Sequence, residues 1–402
     1  MGGVPQTLSA YMWSLAKLSV KDGDLIRSAI AQGKMQLSAS SHRPSELAVL
    51  AWAAGMLGVD DHEFSQAVAN QAIPQLKYFK VEELLKLTWG AAALGFDVDL
   101  SRAIQAEVAG RVAGVDLQDF PPPARKMFVE EALGVLWACN FAGLLSTELL
   151  EATRLVVRKA GMAIDIDVGR ILSAFAQSTA NSKTSPQLSP LALLEPGVCH
   201  PQIVVDLDDR LVIFKPAGWE VHDQHSQLQL SSFLQAVLGN GFPILHDVSF
   251  QFGFLHRLDV PSSGLILAAK TYEAYYDLQV QLNAGEISRD YVVLCHGWVP
   301  TQLQDIRARV YWRGLLPTSS GELGKPSRTQ LKVLAHAARK GSALSLVAVR
   351  IATGRRHQIR SHFSHMGHPT VCDGKYATLT TLSSDKELCG RNFLHRSSDL
   401  IE

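Results

Sequence analysis

What this 402-residue chain lacks removes several classes of function at once. No apolar run reaches the roughly 20 residues that a membrane-crossing helix requires. The opening MGGVPQTLSAYMW has no basic region followed by an apolar block, so it does not read as a secretory signal. It also lacks the Arg and Ser richness of an organelle transit peptide. Gln6 stands where a myristoylation signal needs Ser or Thr. The five cysteines show no paired spacing, which argues against a disulfide framework and a zinc knuckle and for a reducing, intracellular compartment. Acid is missing locally: Leu323 to Cys372 holds nine Lys/Arg and no Asp or Glu, although the whole chain has a formal net charge of zero. Such a window suits a polyanion such as RNA, or simply a solvated face. From residue 201 onward there are 21 Lys/Arg against 18 Asp/Glu, with 11 of the 14 histidines.

The first part of the chain repeats. TLSAYMWSLAKLS, SELAVLAWAAGMLG, EELLKLTWGAAALG and EEALGVLWACNFAG place Trp13, Trp52, Trp89 and Trp137 at intervals of 39, 37 and 48 residues. Leu47, Leu50, Ala51, Ala54 and Leu57 recur at helical spacing, as do Leu84, Leu87, Thr88, Ala91 and Leu94. Gly58 and Gly95 follow as helix stops. Helices that recur at this period without burying their own faces predict an all-α solenoid over residues 1–176. The repeats resemble the octotricopeptide type of RNA-binding repeat, which is found in mitochondrial and plastid proteins. That resemblance puts those organelles among the expected compartments. A protein-binding or purely structural solenoid fits the same pattern, and protein partners are unknown. The first copy begins almost at Met1 without a capping helix, as a fragment of a longer chain would.

Residues 177–199, including QSTANSKTSPQLSP, read as a linker, being polar, Pro/Ser/Thr-rich and aperiodic. Beyond it, residues 200–402 read as a mixed α/β domain in which strands dominate. IVVDLDDRLVIFKPAG predicts a hairpin, with Asp206, Asp208 and Asp209 as turn formers rather than a calcium loop. LILAA predicts a buried strand, TYEAYYDLQVQLNAG a helix ending at Gly285, and RDYVVLCHGWV another strand. RRHQIRSHFSHM predicts a helix stopped by Gly367, with Ile359, Phe363 and Met366 inward and Arg356 and Arg360 one turn apart beside them.

Asp259 is the chemical puzzle, because FLHRLDVPSSGLILAA places its charge directly before a buried strand. Such a charge needs a partner, and an Arg on the inner flank of a helix supplies one through bidentate hydrogen bonds. Separating the two would cost roughly 3–5 kcal/mol.

Five segments in order, Lys215-Pro216-Ala217-Gly218, HRLD with its Ser-Gly turn, Arg289-Asp290-Tyr291, GKPSRT and TGRRHQIRSH, resemble the RluA-type pseudouridine synthases. The match covers residues 203–396, and the family's sheet is largely antiparallel. The resemblance implies that Asp259 is the catalytic carboxylate and that Arg360 pairs with it. It also implies that Tyr291 stacks on the target base and handles its proton. Expected RNA contacts are Lys215, Arg257, Arg289 and Lys325, with Arg328, Arg355, Arg356, His357 and Gln358. The reaction detaches uracil from ribose, turns it and rejoins it through carbon-5, and it needs no metal or organic cofactor. A flipped uridine costs a few kcal/mol, which stacking on Tyr291 (about 1–3 kcal/mol) and phosphate contacts would offset.

The chain departs from the family at Ser262, where Thr is usual, and at Cys372, where Gly is usual. It also has Arg396 where Ala is usual, and it stops at Glu402 where family members run on through further strand residues, so a complete sheet edge is not expected from these residues alone. His357, His362, His365 and His368 offer no closed metal set, and Ser262 and Ser263 near His256 lack a hydrolase elbow. The expected activity is isomerisation of uridines in rRNA, tRNA or organellar transcripts. The alternative is an inactive RNA- or protein-binding solenoid with a synthase-like docking domain.

Overall fold

A computed structural model describes residues 5–178 and 199–398, except 21, 96, 118–119, 223–225, 313, 315, 323 and 340. Most of the expected linker therefore lies outside the described residues. By packing, the chain divides into two units. The first comprises Met1–Val156, Asn283–Gly285 and Arg307–Ser327, and the second the remainder.

The first unit is built on helices α1 (Pro5–Leu18), α2 (Gly23–Ala39), α3 (Pro44–Leu57), α4 (His62–Ala72), α5 (Val81–Leu94), α6 (Val98–Gly114) and α7 (Pro122–Phe141). Helices α1, α3, α5 and α7, which carry the four tryptophans, pack side by side in one row. Leu47, Leu50, Ala51, Ala54 and Leu57 are all buried, as their spacing requires. Gly58 closes α3 in the left-handed conformation at φ 70°. Helices α3 and α5 approach backbone to backbone at Gly90, where a Cβ would lie 2.3 Å from the Ala51 carbonyl. Trp13 is 46% exposed, and the other three tryptophans are half-buried. A two-stranded hairpin, Arg309–Tyr311 with Ser319–Gly321, belongs to this unit. Its Arg309 donates to the Gly55 and Gly324 carbonyls.

The second unit holds most of α8 (Thr147–Ser178), from Val157 onward. The Asp165 carboxylate on α8 accepts the Tyr272 and Glu273 backbone N–H groups, capping the helix Tyr272–Ala284. An eight-stranded sheet follows, formed in chain order by β1 (Gln202–Asp206), β2 (Arg210–Lys215), β3 (Ser263–Ala269), β4 (Asp290–His296) and β5 (Asp305–Ile306). The unit 1 hairpin supplies β6 and β7. Then come β8 (Thr329–Arg339), β9 (Ser342–Ile351) and β10 (Leu394–Ser398). The order across the sheet is β1-β2-β3-β10-β4-β9-β8-β5. Every neighbouring pair is antiparallel except β3–β10. The last strand therefore lies inside the sheet, because β10 finds open ladders on both β3 and β4.

Ile266 to Ala269 are fully buried, which explains the unbroken apolar run of β3. Gly264, at φ 134°, lets β10 come close: a Cβ there would meet the Arg396 backbone oxygen at 2.3 Å. The helix expected over RRHQIRSHFSHM begins only at Gln358 and ends at His365. His357 stands in the left-handed region (φ 50°, ψ 25°), so Arg356 falls outside the helix and is not one helical turn from Arg360. Ile359 and Phe363 are buried as expected, but Met366, past the helix end, is 39% exposed. Cys372 also takes positive φ (58°), the backbone region that glycine adopts most readily. The Asp385 carboxylate accepts its N–H at 2.6 Å.

Candidate active site

Asp259 opens a turn closed by Ser262 N–H to the Asp259 carbonyl (3.0 Å), and the turn runs directly into β3 at Ser263. A buried lysine ties this turn down. Lys215, at the end of β2, is 0% exposed and its ammonium donates to the carbonyls of Pro216 (3.0 Å), Val260 (3.2 Å) and Ser262 (2.7 Å). Burial pushes its pKa down to about 7, against the pull of the nearby Asp259 carboxylate. Lys215 is thus engaged with the protein's own backbone.

Arg360, in the first turn of α11 (Gln358–His365), is 3% exposed and bridges two carboxylates. Its Nη1 donates to Asp259 Oδ2 at 2.7 Å. Its Nε and Nη2 donate to Asp373 at 2.7 and 2.6 Å, a bidentate fork. Burial opposes the guanidinium charge, but the hydrogen bonds it donates to Asp373 and Asp259 and the charges of both carboxylates outweigh it and raise its pKa. Burial likewise opposes the charge of Asp373, and Arg360 more than compensates, holding that carboxyl below its usual range. Asp373 also accepts the Thr370 hydroxyl and the Lys375 N–H, both at 3.0 Å. Asp259 Oδ1 has no partner among the described residues.

Next to this pair, His357 Nε2 lies 3.9 Å from Asp259 Oδ2, and its Nδ1 lies 3.1 Å from the Tyr376 hydroxyl. The Tyr376 ring faces the Arg360 guanidinium carbon at 5.2 Å. Across the sheet, Lys215, Gly264, Arg396 and Tyr291 are register partners on consecutive strands. Arg396 is 1% exposed, with its guanidinium carbon 5.9 Å from the Tyr291 ring centre. Its Nη1 lies 2.6 and 2.8 Å from the ring nitrogens of His256. Burial and the cations Arg396 and Arg289 push the pKa of His256 well below the usual histidine range.

The structure brings Asp259, Arg360, His357 and Lys215 together, and Tyr291 stands in the same cross-sheet row as Lys215. Other expected RNA contacts sit differently. Gln358 is 2% exposed and its amide is engaged internally. It accepts from Thr353 Oγ1 and Arg355 N–H, and donates to the Arg328 carbonyl and Thr329 Oγ1. Arg328 pairs with Asp305 at 3.0 Å. Arg289 donates to the Ala352 carbonyl, and burial beside it lowers the pKa of Arg355 to about 10. Arg257 and Lys325 are exposed, and Lys325 groups with the first unit. Arg356 is half-buried.

Three site residues escaped the reading of the sequence: Asp373, Thr370 and Tyr376. A signal for Asp373 existed, since it is the first acid after the acid-free window and stands 13 residues from Arg360. Among the described residues, no group of three or more His, Cys, Asp or Glu could hold a metal, and no helix is long and apolar enough to cross a membrane.

A sheet that presents one carboxylate with one oxygen free, its other oxygen held by a buried arginine, invites comparison with enzymes that act through a single aspartate. Residues 209–365 match the family model described as RNA pseudouridylate synthase. A ribosomal large subunit pseudouridine synthase C of Haemophilus influenzae is 30% identical over 244 residues, covering 59% of this chain and 70% of that protein. A ribosomal large subunit pseudouridine synthase D of Yersinia pestis is 31% identical over 214 residues, covering 52% of this chain. The chain spans 59% of that relative's length. The solved structure of human RNA pseudouridylate synthase domain containing 1 aligns over 50% of this chain and 79% of its own, at 26% identity and a TM-score of 0.40. The chain belongs to the RluA family of pseudouridine synthases through its C-terminal half.

Proposed function

We propose that the protein isomerises uridine to pseudouridine in RNA, with Asp259 as the reacting carboxylate. The observation that carries this reading is the ion pair at 2.7 Å between Asp259 Oδ2 and Arg360, with Oδ1 left without a partner among the described residues. A carboxylate so held can attack the ribose anomeric carbon or remove a ribose proton, and either act releases uracil from its nitrogen bond. The Tyr291 ring, braced by Arg396, is the platform on which the freed base turns before carbon-5 bonds to ribose and loses its proton. Family relatives named for the large ribosomal subunit make ribosomal RNA the first substrate to test. Exposed Arg257 and the half-buried Arg355 and Arg356 are the proposed phosphate contacts.

The tryptophan-bearing helices are a repeat array that adds RNA surface, and a mitochondrion or plastid is the proposed compartment. The test is to incubate the protein with an RNA pool and map pseudouridine by carbodiimide-stop sequencing, beside Asp259→Ala. Sites made by the wild type and absent with Asp259→Ala support the reading. Equal maps from the two proteins would defeat it in favour of a binding module.

A further inference from the structure

His357 stands immediately before α11 in the left-handed backbone region (φ 50°, ψ 25°), which non-glycine residues rarely adopt. Strain of this kind collects at functional sites, where surrounding structure holds a side chain in a required place. Here the ring is only 9% exposed and is set edge-on to Tyr376, with ring planes at 83°. One ring nitrogen faces the Tyr376 hydroxyl and the other faces Asp259 Oδ2.

We propose that Tyr376 and His357 form a positioning relay for Asp259. In it, the Tyr376 hydroxyl donates to His357 Nδ1, and the Nε2–H is aimed at Asp259 Oδ2, so that Oδ1 alone is presented to the uridine. The inference rests on the isomerase reading above. Electrostatics fixes the tautomer. A proton on Nδ1 would turn the Nε2 lone pair toward a carboxylate oxygen 3.9 Å away, whereas a proton on Nε2 faces that charge favourably. At 3.9 Å the separation is longer than a hydrogen bond, so the ring acts on Oδ2 as an oriented dipole.

The relay requires an uncharged ring. Of the groups around His357, the Asp259 carboxylate favours the imidazolium, while Arg360, Lys375 and Arg356 disfavour it. Burial leads these effects, and the pKa of His357 falls to about 4. Tyr376 serves both neighbours of Oδ2, because its ring also lies on the Arg360 guanidinium. One side chain thereby holds the ion-pair partner and the imidazole in a fixed relation.

Tyr376→Phe removes only the hydroxyl and leaves the ring on Arg360. Single-turnover kinetics on a modified RNA should show the rate of isomerisation falling about 10-fold, with the RNA concentration at half-maximal rate unchanged within about 2-fold. Nitrogen-15 NMR of the wild type should show His357 as the Nε2–H tautomer from pH 6 to 8, and Tyr376→Phe should show mixed tautomers. A His357 protonated on Nδ1, or charged at pH 6, would overturn the relay. So would a Tyr376→Phe protein whose only change is weaker RNA affinity, since these residues would then contact RNA. Wild-type protein that forms no pseudouridine sinks the isomerase reading instead, before any variant is compared.

Discussion

Replacing Arg360 with Met keeps most of the side-chain volume and deletes the charge shared by two carboxylates. The loss falls unequally. Asp259 is about a quarter exposed, so water can take over much of its solvation. Asp373 is 0% exposed and gives up two charge-assisted hydrogen bonds, keeping only the Thr370 hydroxyl and the Lys375 N–H. Removing one member of a buried pair costs about 3–5 kcal/mol, and nearly all of it should come from Asp373. For a unit of this size, 1 kcal/mol corresponds to about 2–4 °C in Tm, which places the expected drop at roughly 6–20 °C. Adding Asp373→Asn removes the stranded charge, so the double variant should recover about half of that drop and still lack pseudouridine formation. The assay is thermal melting by circular dichroism, paired with single-turnover isomerisation. An Arg360→Met protein that melts within 2 °C of the wild type and turns over normally would refute the reasoning.

Three further outcomes follow from the same geometry. The pKa of Lys215, about 7 in the fold against 10.5 when free, means the unfolded chain binds more protons between those values. Stability should therefore rise by about 3 kcal/mol from pH 7 to 9.5 and lose that increment in Lys215→Met; urea melts at both pH values check the sign, and a slope unchanged by the substitution would contradict it. Gly264→Ala should cost about 3 kcal/mol or more, because the new Cβ meets the β10 backbone at a strained φ; a normal melt would contradict the tight β3–β10 approach. If the repeat array carries RNA surface, Trp52→Ala with Trp89→Ala should weaken RNA binding about 10-fold by filter binding while leaving single-turnover rate at saturation unchanged.

Periodicity made the helices and strands legible: the apolar spacing in α3 and α5, the unbroken LILAA run and the Gly58 stop all have direct structural counterparts. The cost of an unpaired charge beside a buried strand asked for an arginine partner, while the choice of Arg360 over Arg356 came from the family resemblance, and the structure pairs Arg360 with Asp259. The second carboxylate on that arginine left only its place as the first acid after the acid-free window, since local spacing does not tell a loop aspartate that it will meet a helix 13 residues away. Nor could the spacing of RRHQIR reveal that His357 leaves helical geometry. The histidine breaks the helical pattern to reach Tyr376 and the carboxylate, and tertiary contacts override its local preference. The place of β10 was equally hidden, because strand order is a long-range property that the strand's own residues do not encode.

That strand order bears on how the domain assembles. Until residues 394–398 have been synthesised, β1-β2-β3 and β4-β9-β8-β5 are separate ribbons with no ladder joining them. Asp259 enters the first ribbon and Arg360 leaves the second. Strand β10 works like the slider of a zip, and a nascent chain keeps Asp259 and Arg360 on separate ribbons until that strand is in place.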